Sequence, residues 1–419
     1  MTKAAYETRD VVIIGAGIVG ICCAISALER GLKVTIIDPA EPASGASHGN
    51  AGVISPWSCI PQSTPGLWKK IPGMLLDRKG PLSVAPSYLP SMAGWGFEFL
   101  KNCTEHRMRA ISEDLSSLTS PSVDLYRQLL AGTGEEYLIQ ESCYLHAFRT
   151  ASDADPNDIA YRVRAEKGAD IQLLDADQIR DLEPDLAEEF NAAILMPGQA
   201  RALSPGRVGK VLMQKAIAMG GRFLKAKVTN LSPIHDCGWS IQAGDVDLGS
   251  KKVVIAAGAW SRQLLYTLGI KVPLVGERGY HVEFPNSDAR LKNSIMDMDW
   301  KVVASSMEDG LRIAGTAEFS DLDAPENSRR YKDLIDVAGH LFKNLNTSGV
   351  RCWMGTRPSF PDSLPILGPF DGHEGLFGAF GHSHYGFMSA PKSGQLIGDM
   401  LIGRVPNISL EGFSAGRFT

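Results

Sequence analysis

The stretch VVIIGAGIVG, residues 11–20, restricts the fold more than any other part of the chain. Four apolar β-branched residues run directly into three spaced glycines, Gly15, Gly17 and Gly20. The following text, ICCAISALERG, has apolar residues at helical spacing and stops at Gly31, and KVTIID reads as a second buried strand closing on Asp38. Strand, tight turn, helix and strand in that order predict a parallel sheet covered on both faces. In such a unit Gly15 permits the turn, Gly17 lets the backbone approach a pyrophosphate, and Gly20 lets the helix pack closely on the strand. The helix N-terminus offers free N–H groups and a partial positive charge to phosphates. Asp38 stands where an acid accepts hydrogen bonds from ribose hydroxyls. The alternative is a glycine-rich turn in an unrelated α/β unit. With every part present, the reading is a dinucleotide site that also uses Ala16, Ile18 and Val19. The carboxylate suits a free 2′-hydroxyl, which favours FAD or NAD over NADP.

The chain has 419 residues, so two domains or one interleaved pair are expected. A net charge of −5 without a long basic run gives no reason to expect nucleic acid. The seven cysteines (Cys22, Cys23, Cys59, Cys103, Cys143, Cys237 and Cys352) form no CxxC pair, which fits free thiols in a reducing compartment and calls for no metal. MTKAAYETRD carries no apolar core of a secretion signal, and no run of roughly 18 apolar residues predicts a membrane span. A cytoplasmic location is expected.

Residues 39–66, rich in Pro, Gly, Ser and Ala, read as a long functional loop. RMRAISEDLSSLTSPSVDLYRQLLAG reads as helical, EEYLIQESCYLHAFR as a hairpin or strand pair, and GRVGKVLMQKAIAMGG as an amphipathic helix. Trp57, Trp68 and Trp95 fall in a segment with Lys69, Lys70, Arg78 and Lys79. That segment reads as a wall packing its own aromatics, or alternatively as a lid or a surface resting on a membrane beside a quinone.

Two later segments bear on which dinucleotide binds. KKVVIAAGAWS is an apolar strand ending in Ala256–Ala259, which brings bare backbone beside a ligand; two-domain FAD proteins run such a strand next to the nucleotide. In GLFGAFGHSHYGFMSAPKSGQLIGDML, glycines punctuate a loop, and Ser389–Pro391 opens a helix with Pro391 in its first turn. Such a helix N-terminus stabilises negative charge on a reduced flavin.

Taken together, the chain resembles the FAD-dependent D-amino-acid dehydrogenase branch of the D-amino-acid oxidase and glycine oxidase superfamily. The resemblance rests on four segments in order: VVIIGAGIVGICCAISALERGLKVTIID, SGASHGNAGVISP, WMGTRPSFPDSLPILGP and GHSHYGFMSAPKSGQLIGDML. It implies a mixed α/β fold, a Rossmann-like FAD-binding domain interleaved with a substrate domain built on a mainly antiparallel sheet with helices. The FAD domain is expected over 1–60, 152–180, 204–270 and 350–419, and the substrate or roof domain over 61–151, 181–203 and 271–349. The loop Ser47, His48, Gly49, Asn50, Ala51 and Gly52 is placed beside the flavin ring. Val228, Ala257, Gly258 and Trp260 are placed along the cofactor, with Gly386, Phe387 and Met388 at the last loop and helix. Arg357, in GTRP, matches the arginine that pairs with a substrate carboxylate, and a planar guanidinium does hold a carboxylate bidentately. His384, Tyr385, Tyr280 and His48 are the further candidates to meet substrate or cofactor. Glu277 and Arg278 read as an exposed pair, and Cys352 as a buried small hydrophobe out of register with the flavin-tethering cysteine of sarcosine oxidases. Non-covalent FAD is therefore expected.

The implied reaction is hydride transfer from the α-carbon of a D-amino acid to FAD, giving an imino acid, with electrons passed to a quinone or other respiratory carrier. D-Proline and 4-hydroxy-D-proline are options. The alternatives are a glycine- or sarcosine-type amine oxidase using oxygen, a flavin-binding subunit of an electron-transfer complex, and an NAD-linked dehydrogenase. Peripheral contact with the inner face of a membrane is a further option.

Overall fold

The architecture follows from two sheets in a computed structural model that describes residues 9–77, 80–234 and 238–418. Arg78, Lys79 and Cys237 of the sequence reading lie outside the described residues.

The first sheet runs Ile366–Phe370, His373–Phe380, Val246–Ile255, Arg9–Ile14, Val34–Asp38 and Arg222–Lys225, with Val228–Ile234 and Gly238–Ala243 attached as an antiparallel meander. Its centre is parallel: Arg9–Ile14 pairs in parallel with Val246–Ile255 on one side and Val34–Asp38 on the other. The continuous apolar run at its start has a direct cause. Val11 and Ile13 point into one core, under the helices Ile18–Glu29 and Gly386–Leu401, while Val12 and Ile14 point into the other. Both faces are buried, so no polar alternation survives.

The second sheet runs Arg351–Ser359, Val275–Phe284, Gly310–Phe319, Val302–Met307, Ser294–Asp297, Ile139–Phe148, Ala192–Ala202 and Val53–Ile54. It is mostly antiparallel, and helix Ser328–Leu341 packs in the core on its outer face. Its inner face roofs the ends of the first sheet. Strands of the two sheets alternate along the chain, so the mixed, interleaved α/β architecture holds. Sheet membership is less simple than the sequence boundaries: Val53–Ile54, Gln172–Asp175 and Arg351–Ser359 all pair in the roof sheet.

Several elements differ from the sequence reading. The helical stretch after Arg107 is two helices, Glu105–Thr119 and Ser122–Leu130, broken at Pro121, which has no N–H to continue the ladder. EEYLIQESCYLHAFR is one strand, Ile139–Phe148, led by a short turn of 3₁₀ helix. The last helix starts at Gly386, and Pro391 lies inside it. A proline there leaves the carbonyl of Phe387 without its helical donor, and the hydroxyl of Tyr126 donates to that carbonyl at 2.6 Å.

The aromatic segment divides. Trp95 is buried and donates to the Ser359 carbonyl, and half-buried Trp57 donates to the Pro197 carbonyl, as a wall requires. Trp68 is 55% exposed on helix Leu67–Leu76, which buries none of its side chains. Among the described residues, no helix is long and apolar enough to cross a membrane.

Candidate active site

A cavity of about 1330 Å³ lies between the two sheets. It is larger than the usual range for a drug-sized ligand. At one end it is lined by Gly15, Ala16, Gly17, Ile18, Val19 and Asp38, at the C-terminal edge of the parallel strands where such sheets bind ligands. Gly15 has φ +115°, and a Cβ there would stand 2.3 Å from the Ala256 carbonyl oxygen. A Cβ on Gly20 would stand 2.0 Å from the Gly15 carbonyl oxygen, so Gly20 serves the helix–strand contact from outside the cavity wall. Gly17 differs. The nearest protein atom to its added Cβ is Ser47 Oγ at 3.6 Å, so packing does not require glycine there. The bare backbone at Gly17 faces the cavity and fits a pyrophosphate. Ser47 Oγ accepts from the Ile18 N–H at 3.0 Å, and Asp38 accepts from the N–H groups of Ala16 and Ala40, both at 2.8 Å.

Further along, Gly49, Asn50, Ala51, Val228, Ala257, Gly258 and Trp260 line the cavity, as do Gly386, Phe387 and Met388 in the first turn of the last helix. Two helix N-termini therefore open onto one cavity, which suits a ligand with negative charge at both places. His48 and Gly52 do not line it. The His48 ring turns into space left by Gly206, edge-on to Trp353, and burial and then Arg312 push its pKa down. Arg312, paired with Glu283, holds the loop by donating to the carbonyls of His48 and Asn50. Gly52 takes φ +81° to pass the Ala202 carbonyl. No cysteine lines the cavity among the described residues. Cys352 is exposed rather than buried, because it sits on the edge strand of the roof and alternates with Trp353, which faces inward.

At the roof, Arg357 and Glu277 are register partners on neighbouring strands, so their side chains share the inner face. Arg357 NH1 donates to Glu277 Oε1 at 3.0 Å and to the Thr316 carbonyl at 3.0 Å. Among the described residues no partner is found for its Nε or NH2. The guanidinium lies flat over Gly279, where a Cβ would come within 2.2 Å of NH2. Thr316 adopts φ +62°, a strained conformation for a β-branched residue, beside the bulge that lets Gly279 and Tyr280 pass.

Glu277 is fully buried, and His384 Nε2 stands 2.5 Å from its Oε1 while Ser359 Oγ donates to Oε2 at 2.8 Å. The Gln62 amide nitrogen lies 3.4 Å from Oε2 and 2.8 Å from His384 Nε2. Burial alone would push the Glu277 pKa up. The charges of His384 and Arg357 and the Ser359 hydrogen bond overcome it and hold the carboxyl well below the usual range. Glu277 and Arg278 are therefore not an exposed pair. Neighbours on a strand face opposite ways, and Arg278 is buried on the outer side against Glu318 and the carbonyls of Ala324 and Pro325. That period of two was the signal in ERGYHVEF that could have set Glu277 apart.

The remaining candidates separate by where their polar atoms go. His384 and Tyr385 line the cavity, but the buried Tyr385 hydroxyl donates to the Ile60 carbonyl at 2.5 Å. Tyr280 borders the cavity while its hydroxyl, on the outer face, donates to Glu318 at 2.8 Å and accepts from the Asn327 N–H. Neither hydroxyl is free to hold a substrate carboxylate. His384 lines the cavity with its side chain 39% exposed, and among the described residues its contacts all run through Nε2, leaving Nδ1 without a partner.

The site defines a flavin-dependent oxidoreductase, and comparison with known proteins places it. Residues 10–400 match the DAO family, FAD dependent oxidoreductase, and the chain belongs to that family. It is 37% identical to a D-amino-acid oxidase of Bradyrhizobium diazoefficiens over 98% of this chain and 99% of that protein. Its fold is similar to glycine oxidase from Geobacillus kaustophilus, with TM-score 0.75 and 21% identity over 98% and 99% of the two chains. It is also similar to L-proline dehydrogenase from P. horikoshii, with TM-score 0.74 and 18% identity over 99% and 98%. FAD is the cofactor of the family and the residues fit it.

Proposed function

We propose that the chain oxidises a D-amino acid at its α-carbon, giving an imino acid and passing the electrons to a quinone or other respiratory carrier. The observation that carries this reading is Arg357. Its NH1 is fixed by Glu277 and Thr316, which leaves the Nε–NH2 edge as a fork for a carboxylate beside the cofactor cavity. A protein that only carried electrons would need no such group. FAD, when bound, accepts the hydride from the α-carbon. Arg357 binds the carboxylate and so fixes the rotation of the α-carbon; holding reactants in position lowers a barrier by several kcal/mol. His384, on the same wall, is placed to take a proton from the substrate nitrogen. D-Proline and 4-hydroxy-D-proline remain candidates within this class, and FAD is held without a covalent link.

Exposed apolar side chains on two helices support a peripheral contact with the inner face of a membrane, where such an acceptor resides. Trp68, Leu75, Leu76, Phe97 and Leu100 project from the helices around 67–101, with Lys69 and Lys70 exposed beside them. The second reading, an oxidase using oxygen, is favoured by the name of the 37% identical relative. Oxygen consumption and peroxide formation decide between them. The proposal expects a D-amino acid to reduce an artificial dye at a rate independent of oxygen, with little peroxide. One peroxide per substrate oxidised in air would establish the oxidase.

A further inference from the structure

We infer that Glu277 is a positioning residue that joins the carboxylate clamp to the proton acceptor, fixing Arg357 and His384 through a single buried oxygen. This deepens the reading above and rests on it.

Oε1 of Glu277 meets both Arg357 NH1, at 3.0 Å, and His384 Nε2, at 2.5 Å. Oε2 is closed off by Ser359 Oγ at 2.8 Å and the Gln62 amide at 3.4 Å, and the side chain has no exposed surface to offer a substrate. Glu277 therefore acts through its neighbours. An ionised carboxylate only accepts hydrogen bonds, so the ring nitrogen 2.5 Å from it carries the hydrogen, and the Gln62 amide, 2.8 Å from that same nitrogen, finds its acceptor in Oε2 instead. With the hydrogen on Nε2, the lone pair of His384 lies on Nδ1, for which no partner is found among the described residues. The same carboxylate pins NH1 of Arg357 and leaves its other edge for the substrate. The two working edges thus come from groups anchored to one atom, which fixes the spacing between carboxylate and amine sites.

The proton step balances simply. A substrate ammonium N–H bond breaks, an Nδ1–H bond forms, and the nitrogen keeps its electron pair as a neutral amine. The positive charge moves to the imidazolium, beside Glu277. The groups facing His384 are Glu277 and Arg357 from the roof strands, Gln62 from the 55–66 loop, and His382 and Tyr385 from its own turn. His382, bonded to Ser393, is pushed down to about 3 by burial, and burial holds His146 well below its ordinary value. Neither provides an acceptor that switches on near neutrality. Tyr385 is pushed up by burial and stays neutral. His384 is therefore the acceptor that the geometry leaves on this wall, held against Glu277 Oε1 at 2.5 Å.

The test uses the FAD-loaded protein and Glu277→Gln, which keeps the shape and removes the charge. Losing the nearby negative charge makes Nδ1 a weaker base, so an acid limb of kcat/KM carried by this histidine moves to lower pH. The value of kcat falls about 10–100-fold, the usual loss when a group orienting a functional residue is removed. FAD content and binding of benzoate, a non-oxidisable carboxylate followed by the flavin spectrum, are retained because Arg357 remains. His384→Gln, at a partly exposed side chain, is the companion and loses the limb altogether while still binding benzoate. An unmoved limb in Glu277→Gln, or a limb at the wild-type pH in His384→Gln, overturns the inference. If no D-amino acid reduces wild-type flavin, the reading beneath it falls, and the inference with it.

Discussion

Replacing Arg357 by alanine is expected to raise KM about 30-fold or more while the protein keeps its FAD. The fork that Arg357 offers is charge-assisted, and truncating one member of a desolvated charge pair costs about 2–5 kcal/mol. At about 1.4 kcal/mol per tenfold, that corresponds to about 30- to 4000-fold in binding. The value of kcat also falls, because a substrate without its carboxylate anchor no longer holds the α-carbon in one orientation. Arg357→Lys recovers little, since an ammonium is a point charge and cannot reproduce the fork. The variant also leaves Glu277 with one cation fewer, so its melting temperature is measured alongside. Steady-state kinetics with wild-type KM would remove Arg357 from its assigned place.

The second large effect separates two glycines that look alike in the sequence. Gly17→Val is expected to fold and melt like the wild-type apoprotein but purify with little FAD. Nothing in the protein stands closer to its new Cβ than Ser47 Oγ at 3.6 Å, and the added atoms occupy the space where a pyrophosphate would meet bare backbone. Overpacking of about 1–3 kcal/mol against the cofactor translates to about 5- to 150-fold weaker FAD binding. Gly15→Val is expected to lose stability as well, because its Cβ meets the Ala256 backbone at 2.3 Å and φ is +115°. FAD content by absorbance and melting of the apoproteins measure both. If Gly17→Val retains FAD, the cradle is not where the cofactor lies.

These contrasts show which features of the chain are legible from sequence. The N-terminal unit reads correctly because its signals are local. The apolar run, the spaced glycines and Asp38 all lie within residues 11–38, and each has one structural meaning there. Arg357 draws notice through a short motif, GTRP, and it lines the cavity. Its partner is not legible, because Glu277 is 80 residues away and reaches it only through the register of two roof strands. The same holds for Thr316 and for Gly279, whose missing side chain is replaced by a guanidinium from another strand. Tyr280, Tyr385 and His48 were attractive by type and place, yet each polar group is already committed or turned away. Residue type predicts capability, and only the register decides which capabilities face the cavity. The start of the last helix was misplaced for a related reason. Pro391 looks like a first-turn residue until Tyr126, far earlier in the chain, is seen to satisfy the carbonyl it leaves free.

The most direct measurement of the central claim is made without oxygen or any added acceptor. Purified FAD-loaded protein is mixed with paired D- and L-amino acids, D- and L-proline among them, and the oxidised-flavin band is followed. The account predicts that the band disappears with at least one D-enantiomer and persists with its mirror image. A band that survives every D-amino acid tested, or that is lost only to L-enantiomers, would contradict it.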